Sequence, residues 1–337
     1  MTNSIKPEKI LIAGGSGMVG NAIKNLYFKK LSTGKYQNKE ILYPTRNQLN
    51  LLNYSDVEKW FEINKPNIVI MAAAKVGGIY ANSKYPADFI LQNIKMQTNL
   101  IEISNKYNIK KFLFLGSSCI YPKFAKQPIT ESSLLTGPLE NTNQFYAIAK
   151  IAGIKLCQSL ILQNGFNALC LMPTNLFGPR DNYSEFNSHV LPSFIRKFST
   201  AKNNNSPFVK CWGDGTPLRE FLYVDDLAEA CLFVLENWKL LSNHKIKDSN
   251  GEEICWINVG SNSEISIKNL ASLIANEINY RGEILWDEDM PNGTPRKKLD
   301  TSILDNIGWS SKKNLKDGIK LTINAYNNEV KCNTIRG

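Results

Sequence analysis

Histidine is scarce in this chain: His189 and His244 are the two among 337 residues. The seven cysteines, Cys119, Cys157, Cys170, Cys211, Cys231, Cys255 and Cys332, form no C-x-x-C pair and no Cys/His cluster. That absence excludes a zinc-ribbon site and a thioredoxin-type redox pair, so no metal is expected. Scattered thiols in odd number fit a reducing compartment, and a cytoplasmic protein is expected. No unbroken apolar run reaches the ~20 residues that span a bilayer. The opening MTNSIKPEKILIAGG holds no apolar segment followed by a small-residue cleavage site. Neither a membrane span nor a secretory signal is expected. Lys plus Arg exceed Asp plus Glu by 40 to 30, a formal charge of +10, yet the densest basic piece is Arg296-Lys297-Lys298. Lysines spread in this way read as solvated surface or as attraction for an anionic small molecule, and nucleic acid is not expected as a partner.

What remains is a chain that is 43% hydrophobic. It is long enough for two domains, or one with a lobe, and for a core that needs no disulfide. Short apolar runs alternate with helical periodicity through the first half. Lys9–Gly15, Ile41–Arg46, Asn67–Ala73, Lys110–Ser117 and Ala168–Pro173 read as strands, and Met18–Lys30, Tyr54–Asn64, Ala87–Tyr107 and Tyr146–Asn164 as helices. Beyond Phe177 the alternation loosens. Helices are expected at His189–Ser199, Asp225–Trp238 and Ile267–Ile278, and extended pieces at Phe208–Trp212 and Trp256–Val259. The expected class is α/β: a Rossmann-type doubly wound parallel sheet over residues 1–178, completed by parts of 208–262. A smaller mixed α/β substrate lobe over 179–337 is interleaved with it.

The first strand runs into Gly14-Gly15-Ser16-Gly17-Met18-Val19-Gly20, a G-x-x-G-x-x-G turn that opens the first helix. Glycine there permits a tight turn, close backbone approach to a pyrophosphate and close helix-on-strand packing. The helix N-terminus adds unpaired N–H groups and a positive dipole end. A dinucleotide is the expected ligand. At the end of the second strand, where an NAD site carries a carboxylate for the ribose hydroxyls, this chain has Thr45-Arg46-Asn47. Arg46 cannot accept from a hydroxyl but can clamp a 2′-phosphate, so NADP(H) is the expected cofactor. The plainer alternative is an arginine pointing into solvent.

Tyr146 and Lys150 are spaced i, i+4 on one face of a helix. Reducing a ketone requires a proton donor at the carbonyl oxygen. A free tyrosine has a pKa of about 10, and a nearby ammonium together with a cationic nicotinamide ring lowers it. Ser117, at the end of the fourth strand, is expected to hydrogen-bond the same oxygen. The bland alternative is an exposed surface pair. The glycine turn, the serine and the Tyr-x-x-x-Lys together resemble the short-chain dehydrogenase/reductase superfamily, extended branch. Arg219–Ala228 (REFLYVDDLA) resembles a segment of the substrate region of those enzymes.

Cys119 lies two residues beyond Ser117. A sugar with a ketone at C4 has acidified protons at C3 and C5. Inverting those carbons requires one group that removes a proton and another that returns one on the opposite face. A thiol of pKa about 8.5 and an imidazole of pKa about 6.5 suit that exchange near neutral pH, which makes Cys119 and His189 candidates. The alternatives are a small core residue and a helix-capping histidine.

LGSSCIYPK, LENTNQFYAIAK, MPTNLFGP, NSHVLPSFIRKF, WGDGTPLREFLYVDDLA and GTPRKKLD together resemble the GDP-L-fucose synthase family, the GDP-4-keto-6-deoxy-D-mannose 3,5-epimerase/4-reductases, over nearly the whole chain. The resemblance implies that Ser117, Tyr146 and Lys150 perform the reduction and that Cys119 and His189 are the acid/base pair. It places cofactor contacts on Gly14 to Gly20, on Arg46, Asn47, Gln48, Leu49, Asn50 and Leu51, and on Leu115, Gly116, Ser117 and Ser118. Further cofactor contacts fall on Lys150, Pro173, Thr174, Asn175, Leu176 and His189. Substrate contacts fall on Lys197, Trp212, Arg219 and Asn292, with Trp212 stacking on a base and the cations on a diphosphate. Lys197 stands where many members have arginine, and Asn292 where many have aspartate. These changes bear on which nucleotide and sugar are held, and leave colitose- or heptose-type sister activities open. A cofactor-binding protein without turnover is the alternative of another class. By analogy a homodimer is expected through Ala87–Tyr107 and Tyr146–Asn164.

Overall fold

Runs such as Ile68–Met71 carry no polar side chain because both faces of the strand are covered, as in a parallel sheet packed between helices. A computed structural model describes residues 7–243, 246–290 and 292–336, and His244 lies outside them. The first half alternates strands and helices: β1 (Glu8–Ala13), α1 (Met18–Ser32), β2 (Lys39–Leu42), α2 (Tyr54–Asn64), β3 (Ile68–Met71), α3 (Ile79–Lys84), α4 (Pro86–Lys106), β4 (Lys111–Leu115), α5 (Gln144–Asn164) and β5 (Ala168–Pro173). The second half is less regular. It begins with β6 (Asn175–Phe177), α6 (Val190–Asn203), β7 (Phe208–Trp212), β8 (Leu218–Tyr223), α7 (Val224–Glu236), α8 (Trp238–Asn243) and β9 (Trp256–Val259). It ends with β10 (Glu264–Ser266), α9 (Ile267–Ile278), β11 (Glu283–Asp287), β12 (Arg296–Lys297), α10 (Ser302–Asn306) and α11 (Leu315–Lys331).

The main sheet has six strands in the order β2-β1-β3-β4-β5-β9, and every pairing in it is parallel. Side-chain alternation sends Leu11, Val69 and Phe112 to one face, beneath Phe61 of α2, Leu100 of α4 and Ile154 of α5. Ile10, Ile12 and Leu113 go to the other, beneath Ile23 of α1 and Leu227 and Cys231 of α7. The strand order reverses between β1 and β3, so the crevice beyond their C-terminal ends is the place where such sheets bind ligands. By length and composition α5 alone among the described helices could cross a membrane. It instead packs against α4 and buries Ala147, Ala149, Ile151 and Ile154.

The stretch 208–262 supplies β9 to this sheet, while β7 and β8 pair elsewhere. β8 is the hub of a small sheet with β6, β10 and β12, and β7 pairs with β11. A third core, with Phe198, Ile274, Ile319 and Tyr326, binds α6, α9 and α11 to these strands. Within it, Glu220 is fully buried. Its Oε1 accepts from Ser261 N at 2.7 Å and Asn262 N at 2.9 Å, and its Oε2 from Leu299 N at 3.0 Å. One carboxylate thus ties β8 to the loops after β9 and β12.

Several elements of the lobe, β6, β8, β10, β11 and β12 among them, were not expected from the sequence, and two further departures bear on the site or its supports. β2 ends at Leu42, and Thr45–Gln48 forms a turn in which Gln48 N donates to Thr45 O at 3.0 Å, so Arg46 lies beyond the strand. Helix α11 was not among the expected elements, although Asn314 caps it by accepting from Asp317 N at 2.9 Å.

Candidate active site

The glycine turn shows which of its glycines the protein itself requires. At Gly14 (φ +89°) an added Cβ would stand 2.7 Å from Ala73 N, and at Gly20 it would stand 2.2 Å from Gly14 O. At Gly17 it would meet nothing closer than 3.4 Å. Packing inside the protein thus does not require glycine at 17. Gly17 is the N-cap of α1, with no side-chain cap and no acidic residue in the first turn. Those N–H groups and the dipole end suit an anion. Arg46 is exposed and makes no hydrogen bond or ion pair among the described residues. Asn47 and Gln48 are exposed beside it, whereas Leu49 and Leu51 are buried in the core and can offer only backbone. The Leu51 carbonyl is already taken by Asn99 Nδ2 at 2.9 Å.

The end of β4 meets the start of α5. Ser117 Oγ accepts from Cys119 N at 3.2 Å, and the Ser117 hydroxyl is hydrogen-bonded to Tyr146. Lys150 is buried, donates from Nζ to Leu115 O at 2.8 Å, and lies 4.7 Å from the Phe114 ring centre and 5.9 Å from that of Tyr146. Burial pushes the Lys150 ammonium down to about 8. The phenol of Tyr146 moves upward, against the lowering expected from a lysine neighbour. Burial is the main cause and Cys119 the second, with the Ser117 hydrogen bond opposing them. The Lys150 ammonium faces a carbonyl and a ring rather than the phenol oxygen, so in the protein alone Tyr146 is a firmly protonated donor.

Cys119 is partly exposed and receives two donors at Sγ: Asn143 Nδ2 at 3.4 Å and Lys297 Nζ at 3.4 Å. His189 is the N-cap of α6, but its ring makes no capping bond. The residue as a whole is exposed. Its pKa is nonetheless held below the usual histidine value, first by the protein around it and then by the Lys297 charge. Lys297 therefore links the cysteine to the histidine, and Tyr146 lies close enough to Cys119 to feel its charge.

The four expected substrate residues form a neighbouring group. Lys197 Nζ lies 5.9 Å from the Trp212 ring centre and donates to Lys210 O at 2.9 Å. Asn292 Oδ1 accepts from Asp214 N at 3.1 Å, so this side chain fixes the loop that follows Trp212. Arg219 Nη2 reaches Asn292 O at 3.4 Å, and β12 places Lys297 directly beside Arg219 on β8. Burial pushes the Arg219 guanidinium down to about 10. At the β5 end, Thr174 Oγ1 and Asn175 Nδ2 both donate to Glu220 O, at 3.2 and 2.8 Å, so these side chains are already engaged, and Leu176 packs against the core. Ser118 is buried, and Gly116 leaves no room beside Met172, where a Cβ would lie 2.3 Å from Cε.

Lys297 and Asn143 were missed in the sequence as site residues. Lys297 was read there as surface charge within Arg296-Lys297-Lys298. The strand alternation separates the three: Arg296 forms a bidentate pair with Glu264, at 2.9 and 2.7 Å, while Lys297 turns inward. Two surface hollows of about 500 and 320 Å³, beside Glu8 and Lys39 and beside Phe61 and Tyr107, lie at the opposite ends of the strands and hold no comparable cluster.

The NAD dependent epimerase/dehydratase family matches residues 10–246. The chain belongs to that family. It is 48% identical over 330 residues to GDP-L-fucose synthase 1 of Arabidopsis thaliana, covering 98% of this chain and 96% of that one. It is 45% identical over 315 residues to the GDP-L-fucose synthase of Escherichia coli K12, covering 94% and 95%. Among solved structures, a GDP-6-OMe-4-keto-L-xylo-heptose reductase from C. jejuni superposes with a TM-score of 0.87 at 32% identity over 96% of this chain and 99% of that one. An NADP-bound GDP-L-fucose synthetase from Naegleria fowleri does so at 0.83 and 26% identity, over 99% and 96%.

Proposed function

We propose that this family member is a bifunctional NADPH-dependent 3,5-epimerase and 4-reductase that converts GDP-4-keto-6-deoxy-D-mannose to GDP-L-fucose. The observation that carries the reading is that the Cys119–Lys297–His189 group adjoins the Ser117–Tyr146–Lys150 group. A plain 4-epimerase or 4-reductase has no use for the first group. Relatives at 45% identity and above that carry the GDP-L-fucose synthase name support the same reading.

Cys119 and His189 exchange the protons at C3 and C5. One removes a proton to leave an enolate, and the other returns a proton from the opposite face. The neutral imidazole, kept so first by burial and then by Lys297, can accept a proton, and the Lys297 ammonium favours the anionic species beside it. The glycine turn and Arg46 would hold NADPH, which would supply the hydride for C4. Tyr146 gives its proton to the C4 oxygen, Ser117 hydrogen-bonds the phenolate that remains, and the Lys150 charge, 5.9 Å from the ring centre, stabilises it from a distance. Trp212, Lys197, Arg219 and Asn292 hold the GDP portion.

The protein works in the cytoplasm as a homodimer through α4 and α5. Leu91, Ile148 and Leu162 are exposed there by 52, 41 and 82%, and the seven free thiols fit a reducing compartment. The decisive test runs the reaction in heavy water. GDP-L-fucose carrying deuterium at two sugar carbons, with one NADPH oxidised per product, is the expected result. A product without deuterium rejects the epimerase half, and absence of NADPH oxidation rejects the reductase half. Parallel assays with colitose- and heptose-type 4-keto sugars test Lys197 and Asn292 as selectors; faster turnover of one of these moves the assignment to that sugar.

A further inference from the structure

Arg180 follows β6 in Phe177-Gly178-Pro179-Arg180 and belongs to none of the groups above. Its guanidinium crosses to the glycine turn, where Nη2 donates to Ser16 O at 3.5 Å. That is its one side-chain hydrogen bond among the described residues, and no carboxylate there forms an ion pair with it. A contact of that length to a neutral carbonyl is weak. The backbone that carries it is held firmly: Arg180 N donates to Glu329 Oε1 at 2.8 Å, and Arg180 O accepts from Arg336 Nη1 at 2.9 Å. Tyr183 N donates to Arg336 O at 2.7 Å. Arg180 has φ +63°, a conformation that non-glycine residues avoid unless their surroundings impose it. Helix α11 and the tail after it thus fix a positively charged fork, with no anionic partner, above the uncapped start of α1.

We infer that Arg180 is a cofactor-binding residue that clamps the pyrophosphate of the dinucleotide, and that Glu329 and Arg336 are its positioning residues. The inference rests on the reading of the glycine turn as the NADPH site. A phosphate oxygen is a far better partner for the fork than a carbonyl. The role differs from that of Arg46: the pyrophosphate is common to NADPH and NADH, whereas the 2′-phosphate belongs to NADPH alone.

Binding of each dinucleotide is measured without sugar, by the change in nicotinamide fluorescence. Arg180→Asn, chosen because asparagine tolerates positive φ, is expected to raise the Kd for NADPH and NADH alike by about tenfold. Arg180→Lys is expected to fall between, keeping the charge and losing the fork. Arg46→Ala is expected to weaken NADPH and spare NADH. Should Arg180→Asn lower Tm, Arg180→Gln takes its place. Unchanged Kd values in the folded variant overturn the clamp, and a loss confined to NADPH overturns the pyrophosphate as its target. A wild-type protein that binds neither dinucleotide rejects the NADPH reading itself, and the clamp with it.

Discussion

Ser117, Tyr146 and Lys150 come from the end of β4 and the first turns of α5, whereas Cys119 and His189 are joined through Lys297, 178 residues beyond the cysteine. The first group is set by one sheet and one helix packed on it, with Gly153 bringing α5 so near Phe114 that a Cβ would stand 2.7 Å from its ring. The second depends on the lobe. His189 heads α6, which packs on α9 and β7, and Lys297 sits on a two-residue strand of the sheet around β8. The two groups thus rest on two different parts of the fold, and damage to the lobe should separate them.

The largest expected effect isolates reduction. Tyr146→Phe removes the proton donor and should slow NADPH oxidation by about 10²–10⁴-fold, while solvent deuterium still enters the ketosugar. Equal loss of exchange would mean that the two groups act as one. Next comes Glu220→Ala, which leaves three backbone N–H groups without their acceptor and should lower stability by ~2–4 kcal/mol. Hydrogen exchange should locate that loss in β8, β10 and β12 before the main sheet, and uniform loss would contradict a separate lobe.

Lys297→Met should cut deuterium exchange by roughly 10–100-fold, through loss of one charged contact, and leave the Kd for NADPH unchanged. It should also move the acid limb of exchange to higher pH. Lys297 holds the His189 pKa down, so without it the ring is protonated sooner as pH falls. A limb that stays in place would detach Lys297 from His189. The smallest effect concerns Lys150, whose ammonium is present below about pH 8 and lost above it. The kcat/KM for reduction should decline above that pH, while exchange does not follow the same limb. A reduction rate flat to pH 9.5 would show that the charge of Lys150 is not needed.

Local signals made much of this readable in the sequence. Helix α2 has the expected bounds, Tyr54–Asn64, because Asn53 accepts from Asp56 N at 3.2 Å at its start and Lys65 ends it at φ +47°. The apolar run of β5 and the alternating pattern of β7, with Val209 and Cys211 inward, likewise announce themselves. The glycine turn and the Tyr-x-x-x-Lys pair are recognisable within seven and five residues. Lys297 had no such signal, since a two-residue strand has no periodicity to tell an inward lysine from its outward neighbour. The direction of the Tyr146 shift was also hidden, because it depends on how far burial outweighs a lysine that donates elsewhere.

The amino-acid order alone determined the alternating strands and helices, the glycine turn and the residue types able to move protons, since each follows from neighbours a few positions apart. Only the tertiary structure decided that Lys297 stands between Cys119 and His189, and that Arg180 leans over the glycine turn from a loop fastened by Glu329 and Arg336. Those contacts join segments far apart in the chain. Their existence depends on how β8, β12 and α11 pack, and no local preference encodes that.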